Sequence, residues 1–431
     1  IRYVDDESVH ETLLALKSTS STKGQALYEL IAKVLADNNI NLKYCVGSST
    51  DGAANMQGQY NGFSSWMATS NPEHIHLWCY AHILNLVITD ITQKPHQCTS
   101  LFGLLNGIAV FFKESHTRMD IWKESSRKVL STIGETRWDS KFNAVLKIFG
   151  SYGDTSNALF VTIIEVLEGI SKSEILNSDT RYKATSYLNS LSKYETILTA
   201  NMYLRIFQHT SPTSKYLQTS GLDLITAQTM ITETKNSLTA ISRDFDHLKL
   251  TTDKFVEWAN NELGKENDAS TVIINSQLDV LRIRKKKMSG EKTSDYCIDN
   301  PYEKYKIDVY NVVMDVIVQS FSTRFTKNEK IYTLLAVFNP RQFNNISSET
   351  LNSDLFVPLC NILIKFNAEI TPSQIREELL DFAAKWDQLK QTVSEESTFS
   401  DDCGNQKSCK SCKQCALCCY TFLMKHNLYS S

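Results

Sequence analysis

The chain has 431 residues, with 45 Lys and Arg against 48 Asp and Glu and a net charge of −3. That length allows two or three domains. The near balance of charge excludes a globally basic nucleic-acid binder, so any phosphate-binding surface has to be a local patch. No run of about 18 apolar residues occurs, so no membrane-spanning helix is expected.

The first residues, Ile1-Arg2-Tyr3-Val4, read as the middle of a strand, with no initiating Met and no secretory pattern. The chain is therefore expected to be a fragment or the product of a truncated gene. Ser8–Lys17 reads as a second strand. Ser20, Ser21 and Thr22 offer caps, and Ala26, Leu27, Leu30, Ile31, Val34 and Leu35 recur at helical spacing. This predicts an amphipathic helix over 23–36, closed by a turn at Asp37-Asn38-Asn39-Ile40.

Leu42 to Asp90 is the stretch on which the rest is organised. Tyr44-Cys45-Val46 reads as a short buried strand leading into a polar turn that ends in Asp51. Gly52, Gly58 and Gly62 then mark a tight loop or helix start, where backbone turns or is closely approached. His74–Cys79 alternates and predicts another strand. Ala81–Ile91 carries apolar residues at 83, 84, 86, 87, 88 and 91, which suits a buried helix. The order is an α/β pattern. In open α/β sheets function gathers at the carboxyl ends of strands, which puts Asp51 on the working edge and Cys79 and His82 at the equivalent edge of the next strand.

After Pro95 the pattern changes. From Leu101 to Lys390 helical spacing dominates, as in Ala158–Ile170, Leu222–Leu248 and Tyr302–Phe325, with no clear repeat. Gly264–Asp268 and the basic Arg282–Lys287 read as linkers. Of eleven cysteines, six lie between Cys403 and Cys419. The other five read as single buried thiols, and without a secretory signal metal binding is favoured over disulfides.

Three groups of residues carry a resemblance. They are Asp51-Gly52-Ala53-Ala54-Asn55-Met56 with Gly58 and Gly62, then Cys79-Tyr80-Ala81-His82-Ile83-Leu84-Asn85-Leu86, then Thr136-Arg137-Trp138-Asp139-Ser140. Phe382–Asp387, Cys409–Cys419 and Leu428-Tyr429 add to it in the same order. Together they resemble hAT-type transposases and, more closely, the transposase-derived half of zinc finger MYM-type proteins. The resemblance implies a partial RNase H-like α/β domain with a large all-α insertion. The boundaries expected are 1–98 for the α/β part, 99–402 for the helical insertion and 403–431 for a Cys-rich end.

The family uses three carboxylates for two-metal phosphodiester chemistry. Asp51 matches the second and is expected to be vestigial. The resemblance puts the first on a strand before Ile1. It puts the third, and the oligomerisation segment after it, beyond Ser431. Magnesium or manganese is expected only if those ends restore the triad. The resemblance also puts a central strand, not found in this chain, between the strand at Ile1–Val4 and the one at Tyr44–Gly47, so these two are expected to flank a gap or pair directly with each other. Exposed edges of that kind make the chain poorly soluble when expressed alone.

Each site residue also has a plainer reading. Asp51 suits a turn aspartate capping the next helix. Cys79 and His82 read better as a buried Cys and a hydrogen-bonded His beside the ancestral site than as half a zinc site, since only His96 and Cys98 are remote candidates for a second pair. His74 and His76 read as a surface pair on one strand face. Arg137 pairs with phosphate or with Glu135. Trp138 stacks on a base or packs in the core, as an isolated Trp more often does. Arg282, Arg284, Lys285, Lys286 and Lys287 are the densest basic run, read as a nucleic-acid contact, a nuclear-import signal or a solvated loop.

Cys409, Cys412, Cys415 and Cys418 are the candidate zinc ligands. At spacings of three on a straight helix four sulfurs do not converge, so the segment bends, or Cys403 or His426 completes the site. The competing reading is a reduced run without metal. The function expected is a transposase-derived, non-catalytic nuclear protein with residual nucleic-acid or protein binding. The alternatives are an active hAT-like DNA transposase and a helical protein-interaction scaffold. DNA and protein are the expected partners, and no membrane.

Overall fold

A hairpin opens the chain. Strand β1 (Arg2–Asp5) pairs antiparallel with β2 (Ser8–Glu11), Tyr3 facing His10 with ring centroids 5.4 Å apart. The computed structural model describes residues 1–5, 8–58, 60–134, 138–219, 224–265, 272–280, 300–325, 329–392 and 419–420. The second strand stops at Glu11 and does not run to Lys17. The last bond, Thr12 N–H to the Ile1 carbonyl at 2.9 Å, uses up the backbone that β1 offers. Beyond it Leu13 and Leu16 stand 82% and 92% exposed.

Helix α1 (Gly24–Asp37) falls within one residue of its expected bounds. It ends at Asn39, whose φ of +58° is the left-handed region that Asn tolerates. The N–H groups of Asn39 and Ile40 close on the carbonyls of Ala36 and Leu35 at 3.0 and 2.9 Å.

The next strand is displaced from its predicted place. Leu42–Tyr44 is a single 3-10 turn, and Tyr44 and Val46 are 47% and 48% exposed rather than buried. Strand β3 is Gly47–Thr50, paired in parallel with β4 (Ile75–Trp78) so that Ser48 faces His76 and Thr50 faces Trp78. The direct pairing of the first strand with this one is not formed, since β1–β2 and β3–β4 are separate two-stranded sheets. Between β3 and β4 come α2 (Ala54–Gln57) and α3 (Phe63–Ser70). Helix α4 (Tyr80–Gln93) follows, with Ile83, Leu84, Val87, Ile88 and Ile91 buried as the apolar spacing requires.

From His96 onward, among the described residues, the remaining strand-type pairing is the bridge Ser151↔Asp154. The protein is thus a small α/β part plus a larger helical region. The chain divides into two compact units, and neither is continuous in sequence. One unit takes residues 1–83, 215–230 and 324–431; the other takes 84–214 and 231–323. The linear boundaries expected at 98 and 402 are of a different kind.

The helical unit contains α5 (His96–Lys113), α6 (His116–Ser125), α7 (Trp138–Phe149), α8 (Phe160–Lys172) and α9 (Ser178–Leu191). Most of α10 (Tyr194–Leu217), the second half of α11 (Leu224–Ile241) and all of α12 (Phe245–Leu263) belong to it as well. It closes with α13 (Pro301–Tyr305), a π-helical turn (Lys306–Asn311) and nearly all of α14 (Val312–Arg324). Phe149, Phe160 and Phe255 form a ring cluster at its core, with centroids 5.2–5.8 Å apart. Side chains of Ser115, Asn177 and Asn300 accept backbone N–H groups at the starts of α6, α9 and α13.

The α/β unit has its own helical end. It comprises α15 (Glu329–Ala336), 3-10 turns at Pro340–Asn345 and Ser353–Phe356, α16 (Val357–Leu363) and α17 (Pro372–Thr392). Leu334, Phe343, Phe356, Leu379 and Trp386 pack there with the buried Cys419.

Candidate functional site

Asp51 directly follows the last residue of β3, at the carboxyl end of the parallel pair. Its side chain is exposed, and Oδ1 accepts the Ala53 N–H at 3.2 Å. That is the geometry of a turn aspartate before α2. The parallel pairing continues one step further, with the Cys79 N–H donating to the Thr50 carbonyl at 2.8 Å. Cys79 and His82 are both half-buried beyond the end of β4, at the head of α4.

The glycines explain how the turn is packed. A Cβ on Gly52 would lie 2.1–2.2 Å from the Trp78 indole, so only Gly lets the turn cross over that ring. A Cβ on Gly62 would meet the Gly58 N and O at 2.4 and 2.6 Å, so these two residues hold the loop shut by close backbone approach.

Behind Asp51 lies a polar chain that the sequence did not announce. Ser48 and Thr50 share one face of β3, as residues two apart in a strand do, and that face meets His76. The Gln57 side-chain nitrogen lies 2.8 Å from His76 Nε2, 3.2 Å from Thr50 Oγ1 and 3.3 Å from the Asp51 carbonyl. With Gln57 donating, Nε2 accepts and Nδ1 carries the proton donated to Ser48 Oγ at 2.8 Å. Burial lowers the pKa of His76, which favours this neutral form.

His74 is a correction. It reads as half of a surface pair, yet it is 8% exposed and, among the described residues, its two ring nitrogens have no hydrogen-bond partner. Burial, then His76 and Lys365, lower its pKa to about 4. At the other end of the strands Asn71, 2% exposed, donates to the carbonyls of Leu42, Lys43 and Cys45 at 3.2, 3.4 and 2.9 Å. Its Oδ1 accepts from Lys365 Nζ.

Hard divalent cations want several carboxylate oxygens. At Asp51 the described residues bring one carboxylate, already engaged with Ala53, beside a hydroxyl, an amide and a neutral imidazole. No group of three or more His, Cys, Asp or Glu suited to a metal occurs among the described residues. Among the described residues, the set at Asp51 does not by itself make a two-metal centre.

Several expected site residues lie outside the described residues. These are Arg137, the basic run Arg282, Arg284, Lys285, Lys286 and Lys287, and the thiols Cys409, Cys412, Cys415 and Cys418. Trp138 is described by its backbone alone, at the start of α7.

Gln57, beside Asp51, and Asn71 and Lys365, at the other end of the strands, are not marked out by the sequence. Gln57 follows Asp51 by six residues, and the alternation of Ser48, Thr50 and His76 was the one signal for its partners. Nothing local marks Lys365.

Among the described residues no helix is long and apolar enough to cross a membrane. No solved structure matches the chain. Residues 1–62 match the family model described as "ZMYM1/FAM200, RNase-like domain". The match runs from β1 through Asp51 to Gly62, so it takes in the turn and the glycines that hold it. The N-terminal α/β part of this chain is therefore similar to the RNase-like domain of the transposase-derived ZMYM1/FAM200 family.

Proposed function

We propose that this protein is a transposase-derived nuclear module, of hAT-type ancestry, that binds nucleic acid and does not cut it. The observation that carries the reading is the position of Asp51 inside the RNase-like match. It stands where a metal ligand is expected, yet it is used as a turn residue. A site that positions two cations needs ligands oriented by several rigid elements. Asp51 alone, on an exposed turn, leaves such cations mostly hydrated and weakly held.

The test is incubation of the purified chain with supercoiled plasmid and magnesium or manganese. The expected outcome is no nicking. Nicking that disappears in Asp51→Ala would overturn the reading in favour of an active transposase. Binding is tested separately by gel shift across salt concentrations. Phosphate contacts give a steep loss of affinity with salt, and a chain with no affinity for DNA or RNA would support the helical scaffold instead.

A further inference from the structure

Two large aromatic rings stand together on the surface of the α/β unit, at the amino ends of its parallel strands. Tyr44 comes from the 3-10 turn before β3, and Phe366 from the turn after α16. They are 47% and 57% exposed, with ring centroids 5.6 Å apart and planes tilted by 38°. Lys43 Nζ lies 4.9 Å from the centre of the Tyr44 ring. Lys365 precedes Phe366, and among the described residues neither lysine is paired with a carboxylate.

Exposed rings are ordinary when they are loose and isolated. These are neither. The buried Asn71 holds both halves of the pair, through the carbonyls of Leu42, Lys43 and Cys45 on one side and Lys365 on the other. A buried amide with every contact made is a stiff support. It fixes the 3-10 turn and the Lys365–Phe366 turn against each other, although they are far apart in sequence. The lysine charge also reaches into this base, where it helps to depress the pKa of His74 after burial and His76.

We propose that Tyr44 and Phe366, with Lys43 and Lys365, form a stacking platform for single-stranded nucleic acid. Unstacked bases lie on aromatic faces while lysines meet the phosphates between them. Both features are present here on a prearranged support, and duplex bases would not reach the rings. The inference rests on the nucleic-acid reading above and names its ligand class and its place.

The test is fluorescence anisotropy of the full chain with a labelled oligo-dT of about 12 nucleotides, run beside a duplex of the same length. Tyr44→Ala and Phe366→Ala should each weaken oligo-dT binding about tenfold, the factor of a single base–aromatic stack. Phe366→Tyr should retain it. Lys43→Ala should lower the slope of log affinity against log salt by about 0.7. Unchanged melting temperatures establish that the surface variants fold.

Oligo-dT affinity equal in wild type and both alanine variants would overturn the platform. If the duplex still binds, the nucleic-acid reading survives that result; if neither probe binds, both fall. Self-association that is lost in Phe366→Ala, with oligo-dT affinity unchanged, would assign the rings to a protein contact and overturn the proposal as well.

Discussion

His76 Nε2 and the side-chain nitrogen of Gln57 lie 2.8 Å apart, and this contact ties β4 to the helix that follows the Asp51 turn. Gln57 also reaches Thr50 and the Asp51 carbonyl. The amide thus holds together the strand end, the turn and the neighbouring strand. Gln57→Ala is expected to cost about 1 kcal/mol, because the half-buried imidazole nitrogen loses its shorter contact and keeps only Thr50 Oγ1 at 3.3 Å. Urea unfolding of Gln57→Ala, His76→Ala and the double variant measures the coupling. Strict additivity of the two single losses would show that the contact carries no energy.

His74 makes the α/β unit sensitive to acid. Its pKa is lowered by burial to about 4, against about 6.5 in the unfolded chain. The unfolded state therefore binds the extra proton between those values. The stability associated with neutral His74 is complete above pH 6.5 and is lost as the pH falls towards 4. The loss is on the order of 2–3 kcal/mol, and His76 adds to it in the same direction. His74→Leu should flatten the fall in melting temperature between pH 6.5 and 4. An identical pH slope in that variant would refute the assignment.

Gly24 and Gly103 predict opposite signs for the same substitution. Gly103 is exposed within α5, and a Cβ there meets nothing within 4 Å. Gly103→Ala should stabilise by about 0.5–1 kcal/mol through helix propensity. A Cβ on Gly24, the first residue of α1, would lie 2.4 Å from the Asn61 carbonyl and 2.6 Å from the Asn55 carbonyl and the Phe63 nitrogen. All three are backbone atoms and cannot swing aside. Gly24→Ala should cost about 3 kcal/mol. Thermal melts of the two variants, moving apart from wild type, check both.

Arg205 is 7% exposed, and its guanidinium donates to the Asp244 carboxylate at 2.5 Å and to the Asp244 carbonyl at 2.8 Å. It also lies 5.7 Å from the centre of the Tyr152 ring. Arg205→Lys keeps the charge but loses the fork that serves both acceptors. The expected loss is about 2 kcal/mol for Lys and about 3–4 for Ala, read from denaturant midpoints. Equal losses for Lys and Ala would mean that the fork, and not the charge, carries the interaction.

The helices were legible because their signal is local. The spacing of Ala26, Leu27, Leu30 and Ile31 placed α1 within a residue, and that of Ile83, Leu84, Val87 and Ile91 placed α4. Strand β3 was not legible. Tyr44-Cys45-Val46 has the stronger strand composition, but β4 pairs with Gly47-Ser48-Ser49-Thr50. Pairing across the sheet overrode propensity, and the small polar residues there serve to bind His76.

The burial of His74 escaped notice for a related reason. Alternation gives the face of a residue and says nothing about what covers that face. The family motif located Asp51 in the sequence, yet the contact of Gln57 with His76 beside it, and that of Asn71 with Lys365 at the other end of the strands, form only through tertiary structure.

The bond between Asn71 and Lys365 joins residues 294 positions apart. On a ribosome adding about 5–20 residues per second, Asn71 emerges roughly 15–60 s before its partner is made. During that interval the first strands wait without the segment that closes their unit, while the whole helical insertion is synthesised. The folding of this unit is therefore tied to the synthesis of the segment after residue 324, which belongs to the same compact unit as the first strands.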